Sequence, residues 1–274
     1  MFLENLEELT AWQAFGAQAA RKLMSVRDII CDEAIVLQVK NWQDTDKYAS
    51  CFSREHGRLN FVAYGARYAK NVQGRLLQPF ASLAVEVQQG QKLDRLRSCE
   101  LLEMPRTYDV LQVAYASVVS ELTVLFTEER QPQQELYELL KSTLAAIALR
   151  NPRLVVLSFA VKLLALAGVS PQLDACVNCG KVLTDAETFR FSYLQGGLLC
   201  SSCSCLGGAG EQDDFSLNLK ALWNWLLILD YVNPQTFKVM GSDLMQLEKA
   251  LLSFIMFQTE KPLQSLNFLQ QLEA

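Results

Sequence analysis

Apolar and polar residues alternate with a period close to two between residues 33 and 104. Five runs in this part of the chain are predicted to be strands, because such alternation places apolar side chains on one face of a sheet. They are Ile35–Val39, Lys47–Ser53, Leu59–Tyr64, Leu83–Val87 and Lys92–Met104. The segments Glu55-His56-Gly57 and Gln89-Gly90-Gln91 are predicted to be hairpin turns. Five short strands in roughly 75 residues predict a small closed β-barrel.

After Pro105 the apolar residues follow the helical period instead. Predicted helices cover Tyr108–Glu129, Gln134–Arg150, Pro152–Ala167, Leu217–Asp230, Ser242–Phe257 and Pro262–Leu272. Gly168 follows the third of these helices, as a C-terminal cap would. The most apolar run, residues 154–169, contains Lys162 and is too short to span a membrane. The pattern therefore predicts an α+β chain, with the barrel first and the helices after it.

Residues 1–25 are predicted to be an extension in front of the barrel. Acidic residues interrupt this segment, so it lacks the features of a secretory signal or a transit peptide. Its apolar residues recur every three positions and predict a short amphipathic helix. These residues are Leu6, Leu9, Trp12 and Phe15.

The strongest chemical signal is a pair of Cys-x-x-Cys motifs, Cys176/Cys179 and Cys200/Cys203, with 20 residues between them. This spacing is typical of a structural zinc site, because each motif brings two thiolates to one tetrahedral ion. The sequence therefore predicts one structural Zn²⁺ per chain. It would hold an insertion at residues 174–205, which has little apolar core of its own.

Other interpretations of the cysteines stay open. Cys205 is an alternative to Cys203 as the fourth ligand, although the spacing of Cys200 and Cys203 matches that of the first pair. The four thiols can also form disulfides, which a cytosolic chain disfavours, or stay free. A catalytic zinc ion would keep an open position and often binds histidine, and the one histidine, His56, is far upstream. The remaining cysteines are predicted core thiols: Cys31, Cys51 and Cys99.

The net charge of −5 does not indicate a nucleic-acid-binding protein. Residues 54–75 differ, because five Lys or Arg residues and a single acid give them a local charge of +4. Aromatic residues lie among these cations, and single strands need both: phosphates bind cations and bases stack on rings. The predicted DNA-binding residues are Arg54, His56, Arg58, Tyr64, Arg67, Lys70 and Arg75. The alternative is that these are ordinary solvated charges beside core aromatics.

Enzymatic functions find little support in the sequence. A single histidine cannot serve both a histidine-based triad and a metal, and no glycine-rich loop ends in the Lys-Ser/Thr that cradles phosphates. The acidic pairs Asp44/Asp46 and Asp213/Asp214 fall in predicted loops and are interpreted as solvated. We therefore expect a protein that is not an enzyme.

Six motifs occur in a fixed order along the chain. They are Arg54-Glu55-His56-Gly57-Arg58-Leu59, Gly65-Ala66-Arg67 with Lys70, Leu77-Gln78-Pro79-Phe80, Pro171-x-Leu173-Asp174-x-Cys176-x-x-Cys179-Gly180, Gly196-Gly197-x-x-Cys200-x-x-Cys203 and Lys261-Pro262-Leu263-Gln264-Ser265. Together these motifs resemble the RecO family of bacterial DNA-repair and recombination-mediator proteins. The resemblance extends from about Ile29 to Leu272 and does not include the first 24 residues.

The resemblance implies an OB-fold barrel at residues 26–104 and an α-helical domain at residues 105–274 with a zinc ribbon-like insertion. It also implies a mediator that binds single- and double-stranded DNA, anneals complementary strands and helps to load RecA onto DNA coated by single-stranded DNA-binding protein. Expected partners are RecR, the C-terminal tail of that coating protein and, indirectly, RecF and RecA. The expected location is the nucleoid in the bacterial cytoplasm, and no binding to membranes is expected. The alternative is an adaptor whose OB-fold and helices bind partner proteins with little DNA contact.

Overall fold

The computed structural model describes residues 29–103, 107–184, 188–206, 212–234, 238–266 and 269. The chain divides into two compact units, residues 1–104 and residues 105–274. The predicted N-terminal extension lies outside the described residues, as do residues 267, 268 and 270–272 of the predicted last helix. Within the described part of the chain, no helix is both long enough and apolar enough to cross a membrane.

The first unit contains a closed barrel of five strands, as the alternation predicts. The strands are β1 Ile29–Trp42, β2 Asp46–Ser53, β3 Gly57–Ala63, β4 Ser82–Gln88 and β5 Asp94–Glu103. They follow the order β1-β2-β3-β5-β4 around the barrel, and all pairs are antiparallel except β3 with β5. β1 is long because its first half pairs with β4 and its second half with β2.

Alternate residues of these strands fill the barrel with apolar side chains. This core includes Ala34, Val36, Ala49, Cys51, Leu59, Phe61, Leu83, Val85 and Cys99. Cys51 and Cys99 are therefore core thiols, as predicted. The prediction for Cys31 is wrong, because this side chain is exposed. Its neighbour Ile30 points into the core, so Cys31 lies on the outer face of the same strand.

A short helix that the sequence pattern does not reveal, α1 Val72–Leu76, lies in the connection between β3 and β4. Asn71 caps it by accepting a hydrogen bond of 3.0 Å from the Gly74 N–H. A Cβ atom on Gly74 would lie only 1.8 Å from the carbonyl oxygen of Ala66, so glycine is required there. This contact holds α1 against the turn that follows β3.

The second unit is built on helices near the predicted positions. They are α2 Val110–Leu125, α3 Gln134–Ile147, α4 Pro152–Leu166, α5 Ser201–Leu206, α6 Leu217–Ile228 and α7 Gly241–Thr259. Asn151 caps α4 at its start, and the predicted cap Gly168 follows its end with a φ of +71°. α4 is apolar on every side because it is central: it packs against α3, α2, α6 and α7.

A four-stranded sheet carries the cysteine motifs. Its strands are β6 Gln172–Cys176, β7 Phe189–Ser192, β8 Gly197–Cys200 and β9 Gln212–Phe215, in the order β6-β8-β7-β9. The Phe191 ring meets the Phe254 ring of α7 edge-to-face at 5.6 Å, and Phe189 is also buried. The segment is therefore attached to the helices by apolar contacts that the sequence pattern does not reveal. The sheet is packed on α7.

The Lys261-Pro262-Leu263-Gln264-Ser265 motif is held by α2. Glu121 accepts hydrogen bonds of 2.8 Å from the backbone N–H groups of Gln264 and Ser265, where a helical turn begins. A carboxylate at this position satisfies donors that a helix start leaves unpaired. Leu263 beside it is buried.

Candidate functional site

Four cysteines from separate elements converge at one end of the sheet. Cys176 ends β6 and Cys200 ends β8, while Cys179 lies in the turn after β6 and Cys203 in α5. Their sulfur atoms all lie within 4.8 Å of one another, and the Sγ atoms of Cys179 and Cys200 are 3.7 Å apart. Four thiolates bound at about 2.3 Å to a tetrahedral ion would be about 3.8 Å apart. The cluster is therefore arranged to hold a metal ion.

The structure separates the alternatives for the fourth ligand. Cys203 is buried within the cluster, whereas Cys205 is exposed and lies outside it. Every cysteine is a free thiol, so the cluster contains no disulfide. Gly180 closes the first motif with a φ of +73°, and its N–H donates to the carbonyl oxygen of Cys176 at 2.9 Å.

The thiols have unequal acidity. Burial raises the pKa of Cys176, but hydrogen bonds from the backbone at Cys200, Cys179 and Asn178 outweigh it and lower that pKa to about 6. The pKa of Cys203 rises to about 12, because its thiol bonds to the Cys200 sulfur and is desolvated. The folded chain therefore favours the thiolate form of Cys176 and the thiol form of Cys203. A divalent cation would displace the remaining thiol protons and bind all four sulfurs.

The predicted DNA-binding residues form two groups rather than one. Arg54, His56 and Arg58 lie at the start of β3, and we call them the Arg54 group. Tyr64, Arg67, Lys70 and Arg75 lie beyond the end of β3, and we call them the Tyr64 group. The seven residues of β3 separate the groups by roughly 20 Å. A cluster that is continuous in sequence is therefore divided between two ends of one strand.

Within the Arg54 group, Arg54 is exposed and His56 and Arg58 are partly buried. The Nδ1 atom of His56 lies 2.9 Å from Oδ2 of Asp32, whose side chain is almost buried. Arg58 is half-buried and sits opposite Phe52, which is inaccessible to solvent. Two of the three side chains in this group are therefore committed to the fold.

The Tyr64 group is more accessible. Tyr64 is 53% exposed, and Lys70 and Arg75 are exposed. The Arg67 guanidinium donates to the carbonyl oxygens of Gln43 at 3.2 Å and Asp44 at 2.8 Å, so it is held against the turn between β1 and β2. The Tyr64 group therefore contains two exposed cations, Lys70 and Arg75, and a third cation, Arg67, that is fixed.

Residues that sequence reasoning missed lie at the same end of the barrel. Trp42 packs on Tyr48 with ring centroids 5.7 Å apart, and the Arg95 guanidinium lies 5.2 Å from the centre of the Tyr64 ring. Only strand pairing brings these residues together, because Val62 beside Tyr64 pairs with both Tyr48 and Arg95. No local motif signals this arrangement.

Two acids predicted to be solvated have structural roles instead. Asp46 is buried and accepts hydrogen bonds from the Thr45 hydroxyl at 2.9 Å and the Gly65 N–H at 2.8 Å. Asp213 lies in β9, where a surface turn was expected, and accepts from Lys249 at 2.8 Å and from the Tyr193 hydroxyl. The interpretation of both as solvated is wrong.

The helical unit contains a groove of about 250 Å³ between the start of α4 and the end of α6. Its walls include Arg150, Leu154, Trp225, Tyr231 and Pro234. Behind Tyr231, the Lys162 ammonium lies 4.4 Å from the ring centre and donates to the Leu229 carbonyl at 2.6 Å. Burial lowers the pKa of Lys162, although the Asp230 charge opposes this. The groove therefore combines one lining cation, Arg150, and one lining acid, Asp230, with an aromatic wall.

Comparison with known proteins gives matches over both units. The family model Recombination protein O N terminal matches residues 24–105, and Recombination protein O C terminal matches residues 107–267. A DNA repair protein RecO of Symbiobacterium thermophilum is 32% identical over 247 residues, covering 88% of this chain and 97% of the relative. Those of Desulforamulus reducens and a Thermoanaerobacter species are 29% and 31% identical, each over 248 residues and 88% of this chain. They are covered over 93% and 97% of their own lengths.

Proposed function

Because the chain belongs to the RecO family of DNA repair proteins, we propose that it is a recombination mediator that binds single- and double-stranded DNA and anneals complementary strands. It would help to load RecA onto DNA coated by single-stranded DNA-binding protein, together with RecR and, indirectly, RecF. Annealing requires no bond chemistry, so no catalytic residue is needed. What is needed is a surface that brings two polyanions together.

The observation that carries this proposal is the exposed cationic and aromatic surface of the Tyr64 group. Arg67, Lys70 and Arg75 can neutralise phosphates, which lowers the repulsion between two strands. Counterions displaced from the DNA would supply much of the affinity, which would then fall steeply as salt rises. The Arg54 group contributes less in this proposal, since His56 and Arg58 are engaged within the barrel.

The groove beside α4 and α6 is our candidate site for the C-terminal tail of the coating protein. We expect that tail to be acidic with an apolar end. Arg150 would attract its carboxylates, while Leu154 and Trp225 would cover the apolar end. This assignment supports a mediator that binds DNA and coating protein with separate units of the chain.

We also propose that the cysteine cluster binds one structural Zn²⁺ per chain. Four thiolates and a closed arrangement are typical of structural zinc, and a catalytic ion would require an open position. Cys176, Cys179, Cys200 and Cys203 would hold the ion. It would fix the end of the sheet rather than take part in a reaction.

The competing function is an adaptor that binds only proteins. Annealing of labelled complementary strands distinguishes the two, with bare strands and with strands coated by single-stranded DNA-binding protein. We expect the protein to accelerate the annealing of both bare and coated strands. The acceleration of coated strands should be lost when the coating protein lacks its C-terminal tail. No acceleration of bare strands, with binding of the coating protein retained, would favour the adaptor and contradict the proposal.

A further inference from the structure

We propose that the outer face of the barrel at the Tyr64 end is a stacking platform for unpaired bases, so that this end prefers single-stranded to double-stranded DNA. The inference rests on the proposed DNA-binding function and adds the residues that would distinguish single-stranded from double-stranded DNA. Trp42, Tyr48 and Arg95 join Tyr64 in this platform. Three of these four residues carry no signal in the sequence.

Strand register places the platform residues on one face. Lys40 pairs with Tyr48, Tyr48 with Val62, and Val62 with Arg95, which makes one row across β1, β2, β3 and β5. Their neighbours along the strands, among them Ala49, Phe61 and Leu96, fill the core. The row therefore points outward. Trp42 and Tyr64 lie two residues beyond Lys40 and Val62, on the same face.

The rings on this face are arranged and accessible. Trp42 leans on Tyr48 at an interplanar angle of 35° and keeps 38% of its surface exposed. Tyr64 is packed by the Arg95 guanidinium and is still 53% exposed. Exposed rings held by neighbours need little ordering when a base stacks on them, and a stacked base is worth about 1–3 kcal/mol.

Charge on the same face matches a nucleic-acid backbone. Lys40 and Lys70 are exposed, and among the described residues neither ammonium has a partner. Arg67 is fixed beside them by its bonds to Gln43 and Asp44. Two acids lie in the adjoining turn: Asp46 is buried and bonded to Gly65, whereas Asp44 is exposed. Phosphates can therefore bind around the platform while bases stack on it.

The preference for single-stranded DNA follows from this arrangement. In a duplex the bases are stacked on each other, so a protein reaches mainly phosphates and groove edges. Only an unpaired strand can place a base against Trp42 or Tyr64. The aromatic residues should therefore contribute to binding of single strands and not of duplexes, whereas the cations should contribute to both.

The test compares Trp42→Ala and Tyr64→Ala in fluorescence-anisotropy titrations with an oligothymidylate and with a hairpin duplex of the same length. We expect each variant to lose about tenfold in affinity for the single strand and less than about twofold for the duplex. Trp42→Phe and Tyr64→Phe should stay close to the parent. Phe257→Ala removes a ring of α7 that is 46% exposed and serves as the matched control.

Melting curves establish whether each variant is folded. Tyr64 lies after the end of β3, so Tyr64→Ala still provides the test if Trp42→Ala proves to be destabilised. Unchanged single-strand affinity in Tyr64→Ala, or equal losses for single strand and duplex, would overturn the platform. If Arg67→Glu with Lys70→Glu still weakens both DNAs in that case, the proposed DNA binding stands without it. If neither the aromatic substitutions nor the charge reversals change the affinity for DNA, the proposed function is contradicted as well.

Discussion

At the scale of single residues, Asp213 joins the cysteine-bearing sheet to α7. It accepts hydrogen bonds from Lys249 of α7 and from the Tyr193 hydroxyl beside β7. Burial raises the pKa of Asp213, but the bonds from Lys249 and Tyr193 and the Lys249 charge outweigh it, so that pKa lies below its usual value. The folded state therefore favours the carboxylate, and Asp213 stabilises the fold when it is ionised.

We expect Asp213→Asn to lower the free energy of unfolding by about 1–2 kcal/mol near neutral pH. The contribution of Asp213 is present above its unfolded pKa of about 3.9 and is lost as pH falls through the lower folded pKa. The difference in stability between the parent and the variant should thus shrink progressively as pH falls below about 4. Urea titrations at several pH values measure this difference.

Asp214→Asn is the matched control for Asp213→Asn. Asp214 is 78% exposed and lies 3.4 Å from an Arg190 side chain that is itself half exposed, so its loss should change stability very little. A difference between the parent and Asp213→Asn that stays constant down to pH 3, or equal effects at both positions, would show that this interaction is not ionic.

Residue identity predicted some of these roles and not others. The four cysteines were predicted correctly as a cluster because the spacing within each motif already places two sulfurs together. Asp46 and Asp213 were assigned to solvent because their partners, Gly65 and Lys249, are distant in sequence and only the fold brings them close. Local charge does not show whether an acid will be buried.

At the scale of elements, the sheet of β6 to β9 depends on two supports. Phe191 and Phe215 pack at 5.9 Å, and Phe191 also meets Phe254 of α7, which gives the sheet an apolar attachment. The cysteine cluster ties the end of the sheet from which α5 and the turn at Cys179 extend, and these two segments have little apolar packing. Metal loss should therefore loosen that end and leave β7 on α7.

We expect the purified protein to contain about one zinc ion per chain and Cys179→Ser to contain almost none, with a lower melting temperature. Cys205→Ser is the matched control and should keep the ion, because Cys205 is outside the cluster. Metal analysis and thermal melting measure both properties. A native protein without metal, or loss of metal from Cys205→Ser instead, would contradict the assignment.

Strands and long helices were predictable because their periodicity is local. The five strands and the helices α2, α3, α4, α6 and α7 all appear near their predicted positions. The short helix α1 was missed because its signal is only Asn71 and a contact between Gly74 and Ala66 that forms in the folded chain. β9 was missed because its acidic residues suggested a turn, whereas it pairs with β7.

At the scale of the whole molecule, family membership assigns the chain to DNA repair and recombination. In the proposed function, the barrel binds DNA and the helical unit binds the C-terminal tail of the coating protein. The sequence identifies residues 54–75 as basic, and its predicted strand Leu59–Tyr64 already lies between the Arg54 and Tyr64 groups. The sequence could not show that His56 bonds to Asp32 and that Arg58 is half-buried, and these two facts make the Tyr64 end the centre of the functional account.

The most direct test of this account is the affinity for single-stranded DNA as a function of salt. The parent, a variant combining Arg67→Glu with Lys70→Glu, and the control Lys238→Glu, which changes an exposed lysine of the helical unit, would be titrated in parallel. We predict that the parent's affinity falls steeply with salt, with a slope of about −0.7 per phosphate contact, and that the double variant loses more than about tenfold with a shallower slope. Lys238→Glu should follow the parent. A flat salt dependence of the parent, or a double variant that binds as tightly as the parent, would contradict DNA binding at this end of the barrel.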